Sequence, residues 1–251
     1  MPYSHPQPID RARALRDIGH LLPGALLFAG LGGYVNAVSV GFFKTPVSHM
    51  TGAISHLGVD LAEARGWDSL SSLSIVLGFM AGAVLAGAMI GSKRLMPGRR
   101  YGVALMGEGV LIGVATWLLL TQHRLGLPLV AMACGLQNAM TSSYCGLLIR
   151  TTHITGTMTD IGVMIGHWIR HREITRWKLG FMAALATAFG LGGWLGAWLD
   201  TRYGPICLAV AAVGCFGAGA ALWFSIERGW LRREWKRAEA AQPKTGIFHD
   251  F

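Results

Sequence analysis

The sequence predicts an all-α, polytopic membrane protein: six full spans and two short motif-bearing helices, re-entrant or broken, arranged as inverted 3+3 repeats. Three observations predict it. The chain of 251 residues is 52% hydrophobic and 14% charged, with a mean hydropathy of +0.43, whereas a soluble domain carries about 25% charged residues. Its uncharged runs are long enough to cross a bilayer. A polar phrase is also written twice, SHMTG at Ser48–Gly52 and THITG at Thr152–Gly156.

The spans follow in order. Residues 1–20 are polar and lack the short apolar core of a cleavable leader, so they read as a cytoplasmic N-terminal segment. Leu21–Phe43, Ser69–Ser92, Leu125–Ile149, Leu179–Leu199 and Tyr203–Ile226 contain no Asp, Glu, Lys or Arg, and Tyr101–Gln122 contains one, Glu108. Each matches the roughly 20 apolar residues that a crossing helix needs. They define a membrane domain over 21–226, and a basic cytoplasmic tail over 227–251 follows. Val47–Val59 is short for a span, and Thr151–Ile169 holds Asp160 at its middle. These two segments carry the repeated phrase.

The net charge of +9 does not imply a nucleic-acid partner, because the basic residues gather at the ends of apolar runs. Lys93-Arg94, Arg99-Arg100, Arg170 to Lys178 and Arg228 to Arg237 mark cytoplasmic loops by the positive-inside bias. Six spans concentrate Lys and Arg on one side far more sharply than eight do, and they put both termini in the cytoplasm. Trp168, Trp177, Trp194, Trp198 and Trp230 suit an interfacial belt. Cys134, Cys145, Cys207 and Cys215 lie inside apolar runs without metal-ligand spacing, and read as buried small hydrophobes. No metal and no cofactor is expected.

The repeat extends beyond five letters. LGFMA occurs at Leu77–Ala81 and Leu179–Ala183, YG at Tyr101-Gly102 and Tyr203-Gly204, and Asn-Ala at Asn36-Ala37 and Asn138-Ala139. These markers recur at spacings of 102, and the phrase itself at 104, which divides the chain into halves of about 21–122 and 125–226. An odd number of crossings per half inverts the second relative to the first. Transporters built this way hold solute near mid-membrane, where broken helices meet.

The candidate pathway residues follow from that placement. Ser48 or Thr51, and Thr152 or Thr155, suit helix N-caps, while Gly52 and Gly156 tolerate a tight helix entry. Two helix starts facing each other favour an anion or polar neutral solute. His49 and His153 donate, accept or titrate near neutral pH, or pin their own loops. Asn36 and Asn138 are either site donors or glue between helices. Asp160 needs a partner, a proton or water at that depth: pairing with His56, its counterpart at a spacing of 104, is one reading, and proton exchange during transport is another. Glu108 reads as a structural partner or a coupling residue, matched at 102 by Val210. Lys44 and Arg150 precede the phrases as snorkelling anchors. The GxxxG spacings Gly78/Gly82, Gly87/Gly91, Gly109/Gly113 and Gly192/Gly196 serve packing within the chain, or a homo-oligomer face.

GGYVNAVSV and VSHMTGAISHLG within Gly32–Gly58, with GLQNAMTSSYCGLLIRTTHITGTMTDIGVMIG at Gly135–Gly166, closely resemble the YoaK-like family of bacterial membrane proteins, also called DUF1275 or UPF0700. The resemblance covers about 21–226 and implies a multi-pass protein of the bacterial inner membrane. It supplies no substrate and no catalytic residues.

The functional expectation is a small-solute transporter or channel whose polar site lies where the two His-Thr-Gly phrases cross. Its partners are the lipid bilayer and a small polar or anionic solute. A structural or regulatory membrane subunit is the alternative. An intramembrane enzyme using His153 and Asp160 is less favoured, because no nucleophile elbow, HExxH or paired carboxylates occur, and no catalytic residue is assigned.

Overall fold

The computed structural model describes residues 11–90, 99–142, 152–171 and 175–228. Arg150, Cys145, Gly91, Trp230, the basic run at 93–98 and the tail beyond 228 lie outside the described residues. Among the described residues the chain is wholly helical. The elements are α1 (Arg11–Phe43), α2 (Met50–Ala62), α3 (Gly66–Ile90), α4 (Arg99–Leu120), α5 (Gly126–Ser142), α6 (Ile154–His171), α7 (Arg176–Tyr203), a 3-10 turn (Gly204–Cys207) and α8 (Leu208–Glu227).

Among the described residues four stretches are long and apolar enough to cross a membrane: Leu22–Phe42, Gly66–Ile90, Arg99–Leu120 and Arg176–Glu227. The last holds both α7 and α8. Gly204 ends α7 at φ 65°, a left-handed conformation that side chains resist, and Pro205 opens the following turn. At a 1.5 Å rise the 13 residues of α2 span only about 20 Å, short of the roughly 30 Å hydrocarbon core.

Glycine decides how the long helices pack. Alpha1 lies along α7, α3 along α5, and α4 along α8. A β-carbon on Gly33 would overlap the carbonyl oxygen of Phe189, and one on Gly192 that of Gly30. In the α3–α5 pair, a β-carbon on Gly135 would overlap the carbonyl of Phe79, and one on Gly82 that of Met132. Side chains at these positions would push the backbones apart, so small residues bring them together. In both pairs the contacting residue numbers rise together, so the helices run in the same direction. In the α4–α8 pair they run opposite ways: Gly102 faces Gly219 and Gly109 faces Ala212. Arg99 closes that pair with an ion pair to Glu227 (2.5 Å), its guanidinium 5.4 Å from the Trp223 ring centroid.

The helix contacts themselves recur at two spacings. Alpha1 matches α5 at 102, as Gly33 matches Gly135. Phe79 and Gly82, however, match Phe189 and Gly192, at 110. The LGFMA pair at 102 and the second YG are therefore not equivalent in packing. The extra residues enter largely within α6, which has 18 residues where α2 has 13. Glu108 consequently corresponds to Ala218, not Val210.

Candidate functional site

Each phrase hangs from the helix before it. At the end of α1, Lys44 takes φ 58° and its ammonium donates to the carbonyl of Gly41 (2.7 Å), closing the helix. The chain then turns back. The hydroxyl of Ser48 donates to Asn36 Oδ1 (2.8 Å), as does its backbone N–H (3.3 Å). In the second half the hydroxyl of Thr152 donates to Asn138 Oδ1 (2.5 Å). Ser48 and Thr152 are both buried. The asparagines thus act as tethers that set where the following histidine falls.

The expected helix caps are replaced. His49 occupies the N-cap of α2, without a side-chain capping bond, and α6 begins one residue after His153. Ser48 and Thr152 are turned towards the asparagines, so they cannot cap. Thr51 and Thr155 lie inside the first turns, exposed, and their carbonyls accept the hydroxyls of Ser55 (2.9 Å) and Thr159 (3.0 Å). The first hydrogen bonds of the two helices recur as well: Ala53 N–H to His49 O (3.2 Å) and Thr157 N–H to His153 O (3.1 Å). The N–H groups of the first turns have no intrahelical acceptor.

The second phrase packs on α1 at Gly32. A β-carbon there would stand 2.6 Å from the Thr152 methyl, 3.9 Å from the Phe189 ring and 4.0 Å from the Gln137 amide nitrogen. That residue therefore joins α1, α5, α7 and the second phrase. Gln137 donates to the carbonyl of Phe28 (2.8 Å) and fixes α5 to α1. The imidazole of His49 lies against the Phe189 ring, with centroids 5.7 Å apart and planes at 38°. His49 and His153 come within electrostatic reach of each other. His49 is half-buried and His153 exposed. Gly156 has its own purpose: a β-carbon there would overlap the His153 ring, so glycine lets that imidazole fold over the first turn of α6. Gly52 lies instead beside Pro46, 3.2 Å from where a β-carbon would stand.

Other candidates do not converge. Asp160 and His56 are both exposed, and no ion pair joins them among the described residues. Among the described residues α6 has no buried residue and packs only on α7, so no described contact holds Asp160 against α1–α4. Among the described residues no group of His, Cys, Asp and Glu is placed to hold a metal. A shallow apolar groove of about 340 Å³ lies between α4 and α8, lined by Gly109, Val110, Ala212, Val213, Phe216 and Gly217. It is not at the phrases.

Sequence reasoning missed Gly32, Phe189 and Gln137, whose importance arises only across helices. It also missed Asp60, a buried carboxylate that accepts from Ser72 (3.0 Å) and pairs with Arg65 (2.8 Å). The Ser72 bond locks the end of α2 onto α3. An acid and a base bracketing the end of α2 were the available signal.

The arrangement brings two imidazoles within electrostatic reach near two helix starts, with the Phe189 ring and the buried Gln137 amide close by. Imidazoles and free first-turn N–H groups are hydrogen-bonding groups. A family model described as "Protein of unknown function (DUF1275)" matches residues 24–222. Neither a curated protein nor a solved structure matches the chain.

Proposed function

The chain belongs to the DUF1275 family, and from that premise we propose that it is a small-solute transporter or channel of the bacterial inner membrane. Six helices cross, both termini lie in the cytoplasm, and the solute passes the crossover of the SHMTG and THITG phrases. The observation that carries this reading is that His49 lies against Phe189 and within electrostatic reach of His153, while Thr152 of the second phrase packs on Gly32 of α1.

The packing supports inverted halves. Alpha4 and α8 are equivalents, and their contacts map onto each other while the helices run opposite ways. A two-fold axis relating them must lie across the helices, hence in the membrane plane. Alpha1 then runs opposite to α5 and, because α3 follows α5, opposite to α3. Alpha2 therefore adds no net crossing, and by the same relation neither does α6. Six crossings and two partial entries fit these directions, as does a solute site near mid-membrane.

The reading is tested with purified protein. A panel of small anions and polar neutral solutes is screened for thermal stabilisation, and the hits for flux in proteoliposomes. Flux is expected for at least one stabilising solute, with loss in His49→Ala or His153→Ala. Stabilisation and flux absent throughout such a panel would sink it. A second reading, a structural or regulatory membrane subunit, draws support from the Ser48–Asn36 and Thr152–Asn138 bonds, which use polar side chains for holding the chain. It predicts that both histidine variants lose stability and that no solute moves.

A further inference from the structure

The strongest polar feature outside the phrases is Glu108. Its side chain is fully buried on α4, and Oε2 has no hydrogen-bond partner among the described residues. Two thiols face it: Cys215 of α8 is hydrogen-bonded to the carboxyl, and Cys134 of α5 lies within electrostatic reach. No Lys, Arg or His pairs with it among the described residues. Alpha3 brings only Asp68, in its first turn. The 3-10 turn brings Cys207, whose carbonyl is bound by Tyr34 (2.8 Å).

Its position along the helix is special. The facing pairs Gly102–Gly219 and Gly109–Ala212 step in opposite directions. The point where α4 and α8 present equivalent residues to each other is midway, between Leu105-Met106 and Cys215-Phe216. Glu108 sits two to three residues beyond it, about 4 Å at a 1.5 Å rise. In an inverted repeat that point is the centre of the bilayer, and Glu108 is the one acid of the long apolar run on α4.

An ionised carboxylate there would need a cation or water, and the described neighbours offer two weak thiol donors. A carboxyl retained only for structure would be expected to use both oxygens. From this geometry, and resting on the transport reading above, we propose that Glu108 is an exchangeable proton-binding site that couples transport to the proton gradient. The carboxylate takes one proton from one face of the membrane, crosses the cycle as the neutral acid, and gives the same proton up at the other face. The α4–α8 contact is suited to this because it lies on the two-fold axis, where rocking of one half against the other exposes the same point to each side.

The test uses the full chain in lipid and reads protons directly. Infrared difference spectra between neutral and alkaline buffer, in H2O and D2O, should show a buried carboxylic-acid carbonyl band. That band should shift on deuteration, fall on alkalinisation, and vanish in Glu108→Gln, an isostere of the neutral acid. In Glu108→Asp it should persist at a moved frequency. An unchanged band in Glu108→Gln, or a wild-type band indifferent to pH and D2O, overturns the site. If Glu108→Gln does not fold, labelling of the wild type with a hydrophobic carbodiimide, mapped by mass spectrometry, replaces it. Modification at Glu108 that weakens as pH rises supports the site, and none at Glu108 overturns it. With a transported solute in hand, gradient-driven uptake should be lost in Glu108→Gln while solute exchange persists. Uptake indifferent to the pH gradient overturns the coupling and leaves transport standing. A titrating band with no solute flux supports the proton site and removes the transport reading.

Discussion

Gly109 and Gly219 occupy the same place on opposite helices. A β-carbon on Gly109 would stand 2.6 Å from the Ala212 carbonyl oxygen and 2.7 Å from the Phe216 nitrogen. One on Gly219 would stand 2.6 Å from the Gly102 oxygen and 2.7 Å from the Met106 nitrogen. The two sets map onto each other at a spacing of 110. Gly33–Phe189 and Gly135–Phe79 form a second matched pair of contacts, and four predictions rest on that geometry or on the sites it positions.

Side chains at the helix contacts should break the packing. Gly82→Leu and Gly135→Leu drive atoms into carbonyls across the α3–α5 contact, costing about 1–3 kcal/mol or more. Gly87→Ala, with nothing within 4 Å of its β-carbon, should stay within about 0.5 kcal/mol of the parent. Thermal unfolding followed by size-exclusion recovery in detergent separates the two groups. Equal losses at Gly82 and Gly87 would contradict the contact.

The asparagine tethers should couple to their own phrases and not to each other's. Double-mutant cycles of Asn36→Ala with Ser48→Ala, and of Asn138→Ala with Thr152→Val, are expected to give coupling of about 0.6–1.7 kcal/mol. Crossed pairs, Asn36 with Thr152, should be additive. Coupling of equal size in the crossed pairs would show that the tethers are misassigned.

Proximity of the phrases is open to chemistry. In a background without native cysteines, His49→Cys and His153→Cys together should be joined by a short bifunctional thiol reagent within one chain. His49→Cys with Asp160→Cys should join less efficiently, because α6 carries Asp160 away on an exposed face. The measure is intact-protein mass after reagent treatment, and absence of the first product counts against the meeting of the phrases.

Sidedness tests the proposed inversion. Cysteines placed within 93–100 and within 170–178 should react with a membrane-impermeant thiol reagent from the same side of sealed vesicles, and one at Arg124 from the other. Reaction of the first two from opposite sides would reverse the assignment of α2 and α6 as partial crossings.

Much of the plan is legible in the residues themselves. Uncharged runs in water would leave a helix with no way to hide its apolar surface, so composition alone selects long helices and a bilayer. The paired Asn and His-Thr-Gly letters fix which segments are equivalent, because backbone turned back at depth needs the same polar tether wherever it occurs. Side-chain direction and register were not legible. LGFMA at 179 repeats the letters of 77, yet Phe189 takes the place of Phe79. Identical apolar letters cost the same in lipid at either position, and only backbone-to-backbone contact at glycine discriminates between them.

The one-dimensional chain thus determined the helical class, the long apolar runs and the two histidine-bearing phrases. The tertiary structure decided that the spacing widens to 110, that Ser48 and Thr152 turn to asparagine rather than capping, and that Asp160 stands apart from His56. It also brought Gly32, Phe189 and Glu108 into view. The physical reason is range: hydropathy acts on each residue alone, whereas close approach and an unmatched buried oxygen exist only once distant helices are in contact.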